Sequence, residues 1–107
     1  MYAQLVQGGT SPDRRDEMNA IVRDHLIPAL DCEPGFEGAL NLEDRETGYG
    51  MMITFWETEE QAASLPTSSA FLEALGRIAT VSTGARAPMG VWRVNVLAMN
   101  RARQEAR

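Results

Sequence analysis

The sequence predicts an α+β fold in which a four-stranded antiparallel sheet carries two helices on one of its faces. Three observations support this prediction. Some segments alternate with a period of two, others repeat apolar residues every three or four positions, and together they follow the order β-α-β-β-α-β. Two strand-helix-strand halves in this order are typical of the ferredoxin-like arrangement. We expect one domain at residues 1–100, followed by a short charged tail at 101–107.

The centre of the prediction is a hairpin over residues 36–56. Phe36, Gly38, Leu40 and Leu42 alternate with polar or small residues, which indicates a strand with two different faces. The next run, 49–56, is rich in β-branched, aromatic and sulfur-bearing residues and fits the centre of a sheet. The loop between them ends in Gly48, a residue that can supply the positive φ of a tight turn.

The first helix is expected to follow a short strand at residues 2–7. Thr10 and Ser11 are candidate N-caps, and Asp13 completes a variant of the capping box with Thr10. An apolar stripe within the helix includes His25. Pro28 removes a backbone donor, so the last turn should kink or loosen.

The second half of the chain repeats this arrangement. Thr58 and Gln61 form a capping-box pattern at the start of a short helical turn, which Pro66 interrupts. A longer helix is expected within residues 67–83, with a buried stripe that includes Leu72. The last strand is predicted at 89–99.

Both faces of the predicted sheet are too apolar to lie against water. We expect the helices to cover Met52, Thr54, Trp56, Trp92, Val94 and Val96. The opposite face is expected to carry Tyr49, Met51, Ile53, Phe55, Val91 and Leu97, mixed with Glu37, Asn41, Arg93 and Asn95. A second subunit is the natural cover for that face, so the sequence predicts a homodimer whose two sheets close into an α+β barrel.

Composition excludes several classes of partner. The net charge is -5, and all ten basic residues are arginine, which argues against binding to nucleic acid or to an anionic membrane surface. The single cysteine, Cys32, has no internal disulfide partner and fits a reducing compartment. The first residues lack the pattern of a signal peptide, so a cytoplasmic protein is expected. One His and one Cys show no metal-ligand spacing, and no metal or cofactor is predicted.

The motifs of the hairpin resemble those of the antibiotic-biosynthesis-monooxygenase-like family of dimeric α+β-barrel proteins. The matching stretches are 34–36, Gly38 and Leu40, then 44–48, and finally 53–60 with 62–63. The resemblance implies the barrel dimer and a pocket between sheet and helices. It also implies a cofactor-independent monooxygenase that acts on an aromatic or polycyclic phenol, and it maps the family's strand-end tryptophan onto Trp56.

Within this interpretation each candidate residue receives a role and an alternative. His25 is the candidate base for phenol deprotonation, or else a half-buried structural histidine. Trp56 and Met52 would hold the ring and Thr54 would orient an oxygen, while Trp92 joins the substrate-binding set. Both tryptophans have a packing role as the alternative. Two other readings stay open: a non-catalytic homodimer that binds a small hydrophobic metabolite, and haem binding through His25.

Overall fold

A computed structural model of the chain describes residues 1–84 and 87–100. Its strands are β1 (Tyr2–Gly9), β2 (Phe36–Glu43), β3 (Tyr49–Trp56) and β4 (Ala87–Arg93). They form an antiparallel sheet in the order β2-β3-β1-β4, with β1 and β3 at the centre. This interleaving of the two halves confirms the predicted ferredoxin-like fold. The predicted tail at 101–107 lies outside the described residues.

The first helical segment, residues 15–31, changes its geometry along its length. It consists of α1 (Arg15–Ile21), a π-helical turn (Val22–Leu26) and α2 (Ile27–Asp31), preceded by a 3-10 turn (Pro12–Arg14). The π turn lies just before Pro28, where the missing backbone donor loosens the helix as predicted. The predicted capping box at Thr10 does not form, because Thr10 is held in a β-bridge with Ser82 instead.

The two later helices are α3 (Glu59–Ala63) and α4 (Ser69–Val81). The predicted capping box at α3 is present: the Thr58 hydroxyl accepts from the backbone N–H of Gln61 at 3.1 Å, and the Gln61 amide oxygen accepts from the backbone N–H of Thr58 at 3.1 Å. At α4 the Ser68 hydroxyl accepts from the backbone N–H of Phe71. Local sequence therefore determines where both helices begin.

We expect Thr58→Ala to lower the free energy of unfolding by about 1 kcal/mol, because it removes the acceptor that satisfies an N-terminal backbone donor. Thr67→Ala is the matched control, since Thr67 is exposed and lies outside the helices. Urea unfolding of both variants measures the difference. Equal midpoints for the two variants would contradict the contribution assigned to the capping box.

An extra residue in β2 reverses the predicted faces of that strand. Phe36 lies opposite Trp56, but Gly38 already lies opposite Phe55, so Glu37 forms a β-bulge. Phe36 therefore faces the helices as expected, whereas Leu40 lies on the other face. The prediction that Phe36, Leu40 and Leu42 share one face is wrong. Asn41, predicted on the outer face, lies on the helix side together with Glu43.

A second bulge changes the faces of β4. Gln4 lies opposite Val91 while Val6 lies opposite Pro88, so β4 has one residue more than β1 here, close to Gly90 with its φ of 89°. Val91 consequently packs against the helix-side core. Trp92 lies opposite Ala3 on the outer face and is largely exposed. The predicted positions of Val91 and Trp92 are therefore wrong.

β4 also ends at Arg93, earlier than the predicted residue 99. The backbone N–H of Val94 donates to the carbonyl of Met1 at 3.0 Å, just beyond the last β1–β4 pair of Tyr2 and Arg93. Residues 94–100 lie outside the strands of the sheet. Val96 lies in this segment and is exposed, whereas the prediction placed it under the helices.

The core lies between the helices and one face of the sheet. Its buried cluster consists of Val22, Leu26, Ala29, Leu30, Trp56, Ala62, Phe71, Ala74 and Ile78. Leu72, predicted to belong to the buried stripe of α4, is exposed, since Ala74 occupies the inward position. None of the helices in the described part of the chain is long and apolar enough to cross a membrane.

Candidate functional site

A cavity of about 660 Å³ lies between the helices and the inner face of the sheet. Its apolar wall is formed by Leu26, Leu30, Met52, Trp56, Phe71 and Ile78, from the first helical segment, β3 and α4. A concave, largely apolar cavity of this size with a few polar groups is the usual form of a small-molecule site.

Trp56 and Thr54 form the fixed part of the wall. They are two residues apart on β3, so both side chains point to the helix side. The indole N–H of Trp56 donates to the Thr54 hydroxyl at 2.9 Å, and the indole packs edge-on against Phe36 with ring centroids 5.5 Å apart. Because the Thr54 oxygen accepts this bond, its own proton remains to be donated, and no described group accepts it.

Three of the four amide residues in the lining, Gln4, Asn19 and Asn41, add hydrogen-bonding capacity along the cavity. Gln4 lies opposite Thr54 on β1, Asn41 lies opposite Met52 on β2, and Asn19 lies on α1. Their side-chain amides make no hydrogen bond with other described residues. Asn19 and Asn41 are exposed and mark the more open part of the cavity, whereas Gln4 is half-buried.

An ion pair between Arg15 and Glu43 supplies the charged part of the lining. The Nε of Arg15 contacts Oε2 of Glu43 at 2.8 Å, and its Nη2 donates to the carbonyl of Arg45 at 2.7 Å. The two side chains are 19% and 29% exposed, so they are shielded in part from solvent. The pair joins α1 to the end of β2. Neither Arg15 nor Glu43 is among the residues that the sequence predicts for the site.

Of the predicted site residues, the structure brings Met52, Thr54 and Trp56 together in the cavity. Trp92 lies on the outer face, where its indole N–H donates to the carbonyl of Met89 at 3.0 Å. Trp92 was expected to line the cavity, but the bulge in β4 places its side chain on the other face of the sheet.

His25 does not line the large cavity either. It is exposed and contributes to a separate hollow of about 290 Å³ between the first helical segment and the start of α4, together with Cys32 and Glu73. Nearby, a hydrogen bond from Arg23 lowers the pKa of Asp24, and both groups are on the surface. Among the described residues, no three His, Cys, Asp or Glu side chains come close enough together to hold a metal ion.

The arrangement of the fold is shared with several solved structures. The chain is similar to Rv0793 from Mycobacterium tuberculosis, with a TM-score of 0.67, 16% identity and coverage of 92% of this chain and 98% of that one. It is also similar to a candidate antibiotic biosynthesis monooxygenase from Bordetella bronchiseptica, with a TM-score of 0.74, 14% identity and coverage of 89% and 97%.

A third similar structure is that of SnoaB from Streptomyces nogalater, named a cofactor-independent oxygenase. Its TM-score is 0.65 at 16% identity, over 90% of this chain and 94% of that one. No protein-family model and no curated protein matches the sequence. At these identities the likeness establishes the fold, and at that level it confirms the resemblance to antibiotic biosynthesis monooxygenases predicted from the hairpin.

Proposed function

We propose that this protein binds a flat aromatic molecule in the cavity and acts as a cofactor-independent monooxygenase on an aromatic or polycyclic phenol. The observation that carries the proposal is the cavity itself, about 660 Å³ in volume, with a largely apolar wall and polar side chains from α1, β1, β2 and β3. The fold it shares with SnoaB, named a cofactor-independent oxygenase, supports the type of reaction.

In the proposed reaction the phenol loses a proton, and the resulting carbanion-like ring passes electrons directly to dioxygen. For an anthrone, the ring methylene becomes a carbonyl, one oxygen atom enters the product and the other leaves as water. Thr54 and Gln4 are placed to donate hydrogen bonds to the developing phenolate oxygen, which makes its formation easier. The apolar wall around Trp56 and Phe71 keeps water from the reduced intermediate.

His25 is not the base in this reaction, because it lines the separate hollow. The phenol proton instead leaves through the open part of the cavity to water. His25→Ala should therefore keep oxygen uptake within about twofold of the wild type, a margin of less than 0.5 kcal/mol in transition-state stabilisation.

We expect Thr54→Val to lower kcat/KM for oxygen uptake with an anthrone by about tenfold, because it removes one donor to the phenolate with almost no change of shape. The pH at half-maximal rate should rise, since the bound phenol becomes a weaker acid. Thr80→Val on the surface of α4 is the matched control. An unchanged rate and pH profile for Thr54→Val, in a folded variant, would contradict the role given to its hydroxyl.

One observation favours a second candidate function, that of a non-catalytic binding protein. The charged side chains among the described residues that line the cavity are Arg15 and Glu43, and they are already paired with each other. A protein that only binds its ligand needs no catalytic base, so the absence of an unpaired charged side chain in the described part of this lining is consistent with binding alone. Saturable binding of an anthrone without any oxygen uptake above the uncatalysed rate would select this function over the oxygenase.

We also propose that the working form is a homodimer. Cross-strand neighbours form two apolar rows on the outer face of the sheet: Leu40, Ile53 and Leu5 form one row, and Phe55, Ala3 and Trp92 form another. Leu40 is 42% exposed in the single chain. A second copy of the same face is an apolar cover of the right size, which supports the predicted barrel.

A further inference from the structure

The ion pair of Arg15 and Glu43 is the charged feature of an otherwise neutral cavity. We infer that this pair makes the protein select ligands whose polar end carries a neutral oxygen acceptor, such as a ring carbonyl or hydroxyl, and reject ligands that carry a carboxylate there. The inference rests on the proposed binding of an aromatic ligand in this cavity. It assigns to Glu43 a role in specificity that is separate from the chemistry of oxidation.

The guanidinium of Arg15 has a donor left for the ligand. Its Nε is bound to Glu43 and its Nη2 to the carbonyl of Arg45, whereas Nη1 has no acceptor among the described residues. Arg15 lines the cavity, so a ligand oxygen is the acceptor that can reach it. The amides of Asn19, one helical turn further along α1, and Asn41, two residues before Glu43 on β2, add uncharged donors beside the guanidinium.

Charge then decides which oxygen is accepted. Glu43 and Arg15 cancel each other, so the local net charge is zero before a ligand arrives. A carboxylate placed on Arg15 would lie close to the carboxylate of Glu43 and the carbonyl of Arg45, in a place where solvent screens only part of the repulsion. A ring carbonyl gains the hydrogen bond without that cost. The pair therefore favours neutral acceptors.

The inference can be tested with two dyes that share one ring system. Danthron is a dihydroxyanthraquinone, and rhein is the same molecule with a carboxylate added. Fluorescence or calorimetric titration of the wild type should give a Kd for rhein about tenfold higher than for danthron. Glu43→Gln keeps an acceptor for Arg15 but removes the negative charge, so it should tighten rhein by about tenfold and leave danthron within about twofold.

Glu73→Gln is the matched control, because it removes the same charge from an exposed ion pair with Arg77 on α4, away from the cavity. It should leave the ratio of the two Kd values unchanged. Arg15→Gln should weaken both dyes, rhein more strongly, because the anion of Glu43 is then uncompensated. Circular dichroism and thermal unfolding establish that each variant is folded.

Each outcome has a definite meaning. If neither dye binds the wild type, the proposed aromatic site fails. If danthron binds but rhein binds equally well, or if Glu43→Gln leaves the ratio between the dyes as it was, the aromatic site stands and the selection by the ion pair is overturned. A shift of the same size in Glu73→Gln would also overturn it, because the effect would then come from the overall charge of the protein.

Discussion

Replacement of Trp56 by alanine is expected to lower the free energy of unfolding by about 3–5 kcal/mol, the range for removing a large buried aromatic side chain. The indole is 3% exposed, packs edge-on against Phe36 and donates to Thr54, so the burial and both contacts are lost together. For a chain of this size the loss is a large part of the total stability. Urea unfolding at equilibrium measures it.

Trp56→Phe is a milder substitution that tests the same prediction if Trp56→Ala does not fold. Trp56→Phe retains a ring against Phe36 but removes the indole donor, so it should cost about 1–2 kcal/mol through the lost volume and the lost hydrogen bond. Ligand titration in the same variant should show weaker binding of danthron, because the cavity wall is altered. A cost below 0.5 kcal/mol for Trp56→Phe would contradict the anchoring role assigned to this residue.

The hairpin and the starts of α3 and α4 could be predicted because their signals are local, whereas the cap predicted at Thr10 for the first helix does not form. The capping box of Thr58 and Gln61 joins residues three positions apart. Gly48, at the end of its loop, has a positive φ as predicted, with a value of 76°.

Strand faces are different, because they depend on the register between strands. Since both faces of this sheet are apolar, hydrophobicity did not indicate which side chains of β2 and β4 face the helices. The bulges at Glu37 and near Gly90 place these side chains on the opposite faces from those predicted.

The difference between local signals and strand register also explains which residues of the site could be predicted from the sequence. Met52 and Thr54 lie on β3, whose alternation is uninterrupted, so both were assigned to the correct face. Arg15 and Glu43 are 28 positions apart in the chain, and Glu43 follows the bulge that turns β2 over. One sequence feature could have indicated Glu43. The polar residues Asn41 and Glu43 alternate with Leu40 and Leu42, so one of these two sets has to face the helices.

We expect Leu40→Arg to convert the proposed dimer into a monomer. Leu40 lies on the outer face of β2 in the apolar row with Ile53 and Leu5, and a symmetric interface would place the new charge against apolar surface twice, once in each subunit. Burying an unpaired guanidinium costs several kcal/mol, so the dimer Kd should rise by at least about a hundredfold. Sedimentation equilibrium at low micromolar concentration measures the change.

Leu72→Arg makes the same chemical change on the opposite side of the molecule. Leu72 lies on α4 and is 50% exposed, close to the 42% of Leu40, so both variants should fold with similar stability as single chains. If the outer face is the dimer interface, Leu72→Arg remains a dimer while Leu40→Arg does not. A wild type that sediments as a monomer, or two variants that dissociate alike, would show that the apolar rows on the outer face have another cover.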